Sequence, residues 1–227
     1  MRISLRGFEK GIELKRGFAS VCEIESRPLF ARVCRSFLSE EGEEAIEPYS
    51  LWSDLGGEIR PSSAFLLASD PLDLPWSDKC LAGRLYDQMD QFVMEDEDAR
   101  SSIEMLDARM RSAISSVAFQ IQGDYSFGIE WTLKRYLKAF SFSVELSPTA
   151  SYLDSLILFI DFCADMQLDK PILFMNLKTF LGENELGLFY ERIFFHELSI
   201  LMLESTHDQT IFDRELKTYI DQHFIDY

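Results

Sequence analysis

Two groups of basic side chains have the types and spacing to hold phosphates. Lys134 and Lys138 are four residues apart in a helical pattern, and Arg135 lies beside the first of them. The second group crowds the amino-terminal segment and comprises Arg2, Arg6, Lys10, Lys15 and Arg16. Such cations bind a nucleic-acid backbone in a salt-sensitive way and without reading its sequence. A solvated protein surface is the alternative interpretation of both groups.

Two polar residues follow short apolar runs and suggest a different kind of chemistry. Asn176 ends the run 172–175, and Glu204 ends the run 200–203. The residues between the runs show the 3–4 spacing of a half-buried helix, which predicts a parallel strand pair with a helical crossover. Active sites in such sheets lie at the carboxyl ends of the strands. Asn176 and Glu204 are therefore the candidates if the protein is an enzyme with a small anionic substrate.

The sequence lacks the motifs of several enzyme classes. It contains no G-x-x-x-x-G-K-[ST] and no G-x-G-x-x-G, the glycine-rich loops that cradle phosphates. It also contains no G-x-S-x-G nucleophile motif. His196, His207 and His223 have no H-x-x-x-H spacing, and His196 is predicted at a helix end, where a cation suits the dipole. These features predict that the protein does not hydrolyse ATP through the usual loop.

The net charge argues against non-specific nucleic-acid binding, but the charge is unevenly distributed along the chain. The chain of 227 residues carries a formal charge of −17. Residues 1–38 contain eight Lys and Arg against four Glu, whereas the remaining residues contain 14 basic and 35 acidic side chains. This asymmetry is compatible with an acidic exterior and a basic patch concentrated elsewhere, or with scattered solvated charge.

The expected compartment is the cytoplasm. No apolar run approaches the ~18 residues that a membrane span needs, and the amino-terminal segment lacks the apolar core of a signal peptide. The four cysteines have no metal-like spacing, so we expect reduced and mostly buried thiols at Cys22, Cys34, Cys80 and Cys163.

The elements along the chain predict an α/β fold with a helical insertion. Residues 1–24 favour two or three strands, 26–40 a helix, 40–61 a loop-rich stretch and 64–68 a buried strand. Apolar stripes predict two helices between 77 and 122 that form a hairpin around the solvated turn "EDEDAR", and a third helix over 128–139. A strand at 140–146, a buried helix after Ser147, the crossover unit and an edge strand at 217–227 complete the prediction. The expected domains are a head of residues 1–74 and 139–227 and a helical leg of residues 75–138.

Three stretches resemble one protein family in order and spacing. They are "ISLRGF…IELKRGFASVCEIESRPLFARV", "AFLLASDPLDLPWSD" and "PILFMNLKTFLGENELGLFYERIFFHELSILMLES". The pattern is similar to the Csn-two family, the small accessory adaptation proteins of type II-A CRISPR systems. The segment from Phe174 to Leu186 carries most of the resemblance, which extends over nearly the whole chain.

The resemblance implies a fold, a function and partners. The head would resemble P-loop ATPases, with a mostly parallel sheet but no working phosphate loop, and would bind no ATP. The protein would be a non-catalytic homotetrameric ring, held together with calcium, around double-stranded DNA ends. It would act in spacer acquisition with the CRISPR integrase complex and the RNA-guided nuclease. The acidic segment that would hold calcium reads "QGDYSFGIEW" here, which leaves Asp124 and Glu130 as its only carboxylates.

Three functional hypotheses therefore remain open at the level of sequence. The leading one is a DNA-end-binding ring whose phosphate contacts come from Lys134, Arg135 and Lys138, with the amino-terminal group as the second choice. A scaffold that contacts only other proteins is an alternative, and so is a small-molecule enzyme that uses Asn176 and Glu204.

Overall fold

The computed structural model describes residues 1–128 and 130–223, which form two compact units. The first unit comprises residues 1–75 and the chain from Leu146 onward, and the second comprises Trp76–Glu145. The inserted unit thus extends seven residues beyond 138, the end that the sequence predicts for the leg. Each unit is described separately below.

The first unit contains all the strands and three of the helices of the described residues. Its strands are β1 (Arg2–Leu5), β2 (Ile12–Glu13), β3 (Phe18–Ile24), β4 (Tyr49–Trp52), β5 (Glu58–Ile59), β6 (Leu66–Ala68), β7 (Ile172–Met175), β8 (Ser199–Glu204) and β9 (Glu215–Ile220). Its helices are α1 (Arg27–Ser39), α5 (Tyr152–Asp165) and α6 (Glu183–Phe195), with 3₁₀ turns at Gly42–Glu44 and Leu177–Phe180.

A five-stranded parallel sheet confirms the predicted α/β class. Its strand order is β6-β7-β8-β3-β9, and every neighbouring pair is parallel. The predicted crossover unit is confirmed, because β7 pairs in parallel with β8 from Ile172–Ile200 to Met175–Leu203 and α6 connects them. A four-stranded antiparallel sheet in the order β2-β1-β4-β5 lies in the same unit.

The side chains of the large sheet alternate between two buried faces. One face, with Cys22, Ile24, Leu201 and Leu203, belongs to the core cluster that also includes side chains of α1 and of the small sheet. The other face carries Phe174, whose ring centroid lies 6.0 Å from that of Phe189 on α6. Glu23 and Glu204 are register partners on this second face, at the carboxyl ends of β3 and β8.

Two regions differ from the sequence-based prediction. Residues 40–61, predicted as loop-rich, contain β4 and β5, because the short run Tyr49–Trp52 pairs antiparallel with β1. The strand predicted at 140–146 is wrong, since these residues form no ladder and all of them except the half-buried Val144 are exposed. A run of alternating Phe and Ser forms a strand only where a partner edge and a buried face exist.

The predicted edge strand near the carboxyl terminus is confirmed in position but begins earlier. β9 starts at Glu215 and pairs only with β3 among the described strands, at the edge of the large sheet. Residues 224–227 of the predicted strand lie outside the described residues. Residue 129 of the predicted third helix does so as well.

The described residues of the second unit form three helices: α2 (Lys79–Glu95), α3 (Glu97–Ala118) and α4 (Leu133–Ala139). The predicted turn between the first two helices is a single residue, Asp96, whose side chain accepts a hydrogen bond from the Ala99 N–H. The apolar stripe of α3 is not packed within the single chain: Leu106, Met110 and Val117 are 50–61% exposed. No residue of α3 is buried.

Two further findings concern the sequence-based expectations for membranes and thiols. Within residues 1–128 and 130–223, no helix has the length and apolar character that a bilayer crossing requires. The cysteines are free, and Cys22, Cys34 and Cys163 are buried. Burial raises the pKa of Cys22 and Cys34 to about 12, so neither is a thiolate nucleophile.

Candidate functional site

The carboxyl end of β3 is where a sheet of this kind would hold a phosphate loop. β3 ends at Ile24 and α1 begins at Arg27, so only Glu25 and Ser26 connect them. A Walker A loop spans eight residues whose backbone N–H groups surround the phosphates. Pro28 removes a further N–H from the first turn of α1. This connection is too short to wrap around a phosphate group.

A buried lysine occupies the space beside this strand end. Lys178, in the 3₁₀ turn after β7, places its Nζ 2.7 Å from Asp208 Oδ2, 2.6 Å from Glu215 Oε1 and 3.2 Å from Glu23 Oε1. Its side chain is 8% exposed, and that of Glu23 is fully buried. The ammonium group thus joins β3, β9 and the segment between β8 and β9. We call Glu23, Lys178, His207, Asp208, Glu215 and Lys217 the edge cluster.

The remaining members complete the edge cluster. Lys217 Nζ lies 2.9 Å from Asp208 Oδ1 and 3.1 Å from Glu23 Oε1. His207 Nδ1 lies 2.6 Å from Glu23 Oε2, so both oxygens of that buried carboxylate have partners. Buried charges are tolerated only when they are paired in this way.

The ion pairs shift the pKa values of Lys178 and Asp208 within the edge cluster. Burial alone would lower the pKa of Lys178, but hydrogen bonds to Asp208 and Glu215 raise it above its ordinary value. Burial alone would raise the pKa of Asp208, but hydrogen bonds from Lys178 and Lys217 bring it down to about 2. Three carboxylates facing two ammonium groups leave the edge cluster without the positive charge that attracts a polyphosphate.

Asn176 and Glu204, the candidates for catalysis, are engaged with the backbone. Asn176 adopts a left-handed conformation with φ of 54°, and its Oδ1 accepts a hydrogen bond from the Ser205 N–H at 3.0 Å. Glu204 Oε1 accepts from the Lys178 N–H at 3.1 Å. Glu204 is 0% exposed, so a substrate in solution has no access to its carboxyl group.

Glu204 has a raised pKa, and its second oxygen is buried. Glu204 Oε2 is buried and has no hydrogen-bond partner among the described residues. Burial raises the pKa of Glu204 to about 7, against the lowering effect of the Lys178 N–H. Its neighbour across the ladder is Glu23, whose electrostatic effect raises that pKa further.

The amino-terminal basic group is only partly brought together. Arg2, Lys15 and Arg16 are exposed and line one cleft of about 720 Å³ at the amino edge of the large sheet, where Pro171 and Ser199 also lie. Gly11 packs so closely on the Arg2 side chain that a Cβ would not fit there. Three acids line the same cleft, namely Glu13, Asp54 and Asp169.

The two other cations of that group do not line this cleft. Arg6 pairs with Glu43 at 2.7 Å, and Lys10 lies in the connection between β1 and β2. The amino-terminal group therefore divides into a cleft set of Arg2, Lys15 and Arg16, which we call the cleft cations, and two residues outside it.

The basic group on α4 has internal partners that the sequence did not reveal. Lys134 Nζ lies 2.8 Å from Asp87 Oδ1 and 3.7 Å from Asp90 Oδ2, both on α2. The hydrogen bond to Asp87 raises the pKa of Lys134, so the lysine is charged but already compensated. Arg135 Nη1 donates to the backbone carbonyl of Glu130 at 2.8 Å. Lys138 is exposed in the last turn of α4.

The candidate calcium ligands do not form a site in the single chain. Asp124 and Glu130 are both exposed, and the interaction resolved for Glu130 uses its backbone carbonyl. No group of three or more His, Cys, Asp or Glu side chains in residues 1–128 and 130–223 could hold a metal ion. Calcium takes 6–8 oxygen ligands, so these two carboxylates fall well short of its needs.

Sequence comparison identifies the family. A sequence model described as CRISPR-associated protein (Cas_Csn2) matches residues 47–224, more than half of the chain. The chain belongs to the Cas_Csn2 family. Membership gives the protein a CRISPR-associated role and confirms the resemblance seen in the sequence. The α4 basic group lies within the matched Cas_Csn2 range, whereas the cleft cations precede it.

Structural comparison supports the same fold. The crystal structure of Stu0660 of Streptococcus thermophilus matches with a TM-score of 0.64 and 15% identity, over 96% of this chain and 74% of that one. At this identity the match establishes the fold alone. A search of curated protein sequences found no match.

The edge cluster could not be found by reasoning from the sequence. One signal was present, because Glu23 interrupts the apolar stretch of β3, where a buried charge requires a partner. The partners themselves could not be identified, since Glu23 and Lys178 are 155 residues apart.

Proposed function

We propose that this protein is a non-catalytic, sequence-independent binder of double-stranded DNA ends that acts in CRISPR spacer acquisition. It assembles as a homotetrameric ring and works with the CRISPR integrase complex and the RNA-guided nuclease. The observation that carries the proposal is that a CRISPR-associated chain has a parallel sheet of the kind that binds nucleotides but no room for a phosphate loop. Only two residues connect β3 to α1, where a phosphate loop would lie, and the ion pairs of the edge cluster bury Glu23 on the other face of the sheet. The sheet serves as a platform for the assembly.

The cleft cations are the preferred phosphate contacts. Arg2, Lys15 and Arg16 share one exposed cleft, whereas Lys134 is already compensated by two aspartates. This reverses the order of the two basic groups that the sequence favoured. The acids of the cleft weaken binding by a single protomer, and a ring adds the potentials of several clefts around one axis.

The apolar stripe of α3 supports assembly. A helix of 22 residues without a buried side chain is unusual for a protein that acts as a monomer. Its stripe offers the apolar area that a second copy of the chain would cover. Calcium, if it binds, must gain ligands beyond Asp124 and Glu130, and juxtaposed copies could supply them.

A binding assay with matched linear and closed-circular duplexes tests the proposal. The purified protein is mixed with each DNA at low salt, first with calcium and then with EDTA. The ring predicts binding to the linear form alone, because only a free end can enter a closed ring. Loss of that binding in EDTA would assign calcium to the assembly, and its survival would show that the ring needs no metal. Equal binding to circles would contradict encirclement.

Charge reversal assigns the residues that hold the phosphates. Replacing Arg2, Lys15 and Arg16 together by Glu should reduce the salt dependence of binding. The slope should fall by about 3 for each protomer in which the three cations each neutralise one phosphate. Replacing Lys134, Arg135 and Lys138 by Glu should have the smaller effect. Unchanged binding by the cleft variant in an intact assembly would remove these residues from the interface.

A single substitution in the same segment is the matched control. Lys10→Glu changes a cation that lies outside the cleft, in the connection between β1 and β2. Its salt dependence should stay close to that of the wild type.

A protein-only scaffold is the second candidate, favoured by the net charge of −17. It predicts that integrase or nuclease components bind while neither DNA form does at any salt concentration. The enzyme alternative has less support, because Glu204 is fully buried and Asn176 holds the backbone of Ser205.

A further inference from the structure

A pocket lies beside α6 in the first unit, on the side of the helix that faces the chain just before β9. Its volume is about 400 Å³, and we call the residues that line it the α6 pocket: Gly187, Tyr190, Glu191 and Phe194 of α6, with Phe212, Asp213 and Arg214. The four helical residues recur every three or four positions, so they share one side of α6.

Aromatic rings form walls of the α6 pocket. The rings of Tyr190 and Phe212 meet edge to face, with centroids 5.2 Å apart. Phe194 already holds a cation, because the Arg214 guanidinium lies 3.2 Å from the centroid of its ring. Guanidinium groups stack on aromatic faces in this way. The pocket therefore shows, with an arginine of its own, the kind of group that its walls accept.

Two carboxylates of the α6 pocket are available to a ligand. Glu191 and Asp213 are exposed, and neither side chain forms an ion pair or a hydrogen bond within residues 1–128 and 130–223. Arg214 is the one cation that lines the pocket with them. The surplus of negative charge attracts a further cation and repels the phosphates of a nucleic acid.

The α6 pocket is open at Gly187. A Cβ at this position would meet no heavy atom within 4 Å, so packing inside the chain does not require a glycine here. Glycine is also unfavourable in the interior of a helix. Its effect is to leave room beside Glu191, which lies one turn further along the same side of α6.

Apolar side chains extend this surface beyond the α6 pocket. Leu188 and Phe195 lie on the adjoining arc of α6 and are 51% and 71% exposed. A free amine in the pocket would leave both of them uncovered, whereas a protein segment would cover them. A second copy of the chain is a poor occupant, because a two-fold contact would set Glu191 and Asp213 against the same carboxylates.

We propose that the α6 pocket binds an arginine side chain of a basic protein segment, with the guanidinium stacked on Phe212 and paired with Glu191 and Asp213. The inference rests on the proposed function for the kind of partner, since proteins that hold DNA expose basic segments. It gives that partner a binding surface in the first unit that shares no residue with the cleft cations.

Fluorescence anisotropy of the full-length protein with labelled peptides tests the inference. One probe is a peptide of about 12 residues in which arginine and alanine alternate, and the other has lysine in place of each arginine. The wild type should bind the arginine peptide about fivefold more tightly, because only the guanidinium stacks flat and pairs with carboxylates through two hydrogen bonds. Unlabelled N-acetylarginine amide serves as the competitor that carries the same group without a peptide.

Three variants locate the binding. Glu191→Gln with Asp213→Asn removes both carboxylates of the α6 pocket, and Gly187→Leu fills it with a good helix former and leaves the charge unchanged. Each should weaken binding of the arginine peptide about fivefold and abolish its advantage over the lysine peptide. Glu9→Gln with Asp73→Asn is the matched control, since it removes two exposed carboxylates elsewhere in the first unit. It should retain the preference for arginine.

Several outcomes would overturn the inference. Equal affinity for the two peptides, or equal weakening in the pocket variants and the control, would show a diffuse attraction to an acidic surface. Competition by N-acetylarginine amide as strong as that by the peptide would assign the pocket to small cations. A pocket variant whose mass by light scattering differs from that of the wild type would assign the pocket to a contact between copies.

Binding of linear duplex by the same proteins separates the inference from the proposed function. A wild type that binds DNA and does not distinguish the peptides overturns the inference alone. Arginine-specific binding at the α6 pocket without any DNA binding supports the pocket and overturns the ring. The pocket variants should bind DNA at least as tightly as the wild type, because they remove no cation.

Discussion

Glu23 and Glu204 stand side by side on adjacent strands, but their surroundings differ. Glu23 lies among Lys178, Lys217 and His207, so both oxygens of its carboxyl group have partners. Glu204 Oε1 accepts a hydrogen bond from the Lys178 N–H, whereas its Oε2 has no hydrogen-bond partner among the described residues. Burial raises the pKa of Glu204, and the electrostatic effect of Glu23 raises it further.

This arrangement predicts a loss of stability as the pH rises. The pKa of Glu204 is about 7 in the folded chain against an ordinary value of 4.5, so folding holds its proton more tightly than unfolding does. The stabilising contribution is complete below pH 4.5 and is lost as the pH rises through 7. Glu204→Gln resembles the protonated form and does not titrate. We expect it to be more stable than the wild type by about 3 kcal/mol at about pH 8 and by less than about 1 kcal/mol at about pH 5.

Urea unfolding at the two pH values measures this difference. Glu191→Gln, an exposed substitution on α6, is the control and should follow the wild type. Identical pH dependence in Glu204→Gln and the wild type would show that Glu204 is ionised throughout.

The positions of Asn176 and Glu204 could be predicted from the sequence, but their roles could not. Apolar runs of four residues located Asn176 and Glu204 at strand ends, because a buried parallel strand has that pattern. The burial of Glu204 and the hydrogen bond from the Ser205 N–H to Asn176 depend on contacts between three segments of the chain. The same limit applies to Lys134, whose compensation comes from Asp87 and Asp90 on another helix.

At the scale of elements, Asp96 is the one residue that separates α2 from α3. Its backbone is extended, with φ of −101° and ψ of 104°, and its side chain accepts the Ala99 N–H at 3.0 Å. Both flanking segments consist of good helix formers, so local preference alone would favour one continuous helix. The cap is what defines the start of α3.

Removing the cap should loosen the first turn of α3. Asp96→Ala deletes the acceptor, and a lost cap costs about 1 kcal/mol. The amides of Ala99 and Arg100, which both bond to Asp96, should then exchange with solvent deuterium about fivefold faster in the intact protein. Asp96→Asn keeps a side-chain oxygen at the same place and should restore the wild-type exchange rate. Equal protection in all three proteins would show that packing, and not the cap, fixes this turn.

The elements that the sequence failed to predict share a physical cause. β4 has four residues and β5 has two, so neither is long enough for a periodic signal. β4 forms because the β1 edge is available, and β5 forms on the edge of β4. The stretch 140–146 has strand-like alternation but no such edge. The longer elements, such as α5 and α6, were correctly predicted because their periodicity extends over several turns.

At the scale of the whole molecule, the chain leaves apolar surface uncovered although its core is well filled. The exposed stripe of α3 includes Leu106, Met110, Ile114 and Val117, which repeat every three or four residues along one side of the helix. A monomer rarely exposes a continuous apolar stripe of this length. The homotetramer proposed above would cover this stripe.

Charges placed in this stripe should break the assembly. Met110→Glu with Val117→Glu puts two carboxylates among the apolar side chains that copies would bury, and buried unpaired charges are strongly unfavourable. Light scattering should show a smaller assembly than the wild type, and binding to linear duplex should weaken because fewer cleft cations act together. Ser101→Glu with Ser112→Glu adds the same charge to the opposite side of α3 and should leave both properties unchanged. A stripe variant that keeps the wild-type mass and DNA affinity would place the contact between copies on another surface.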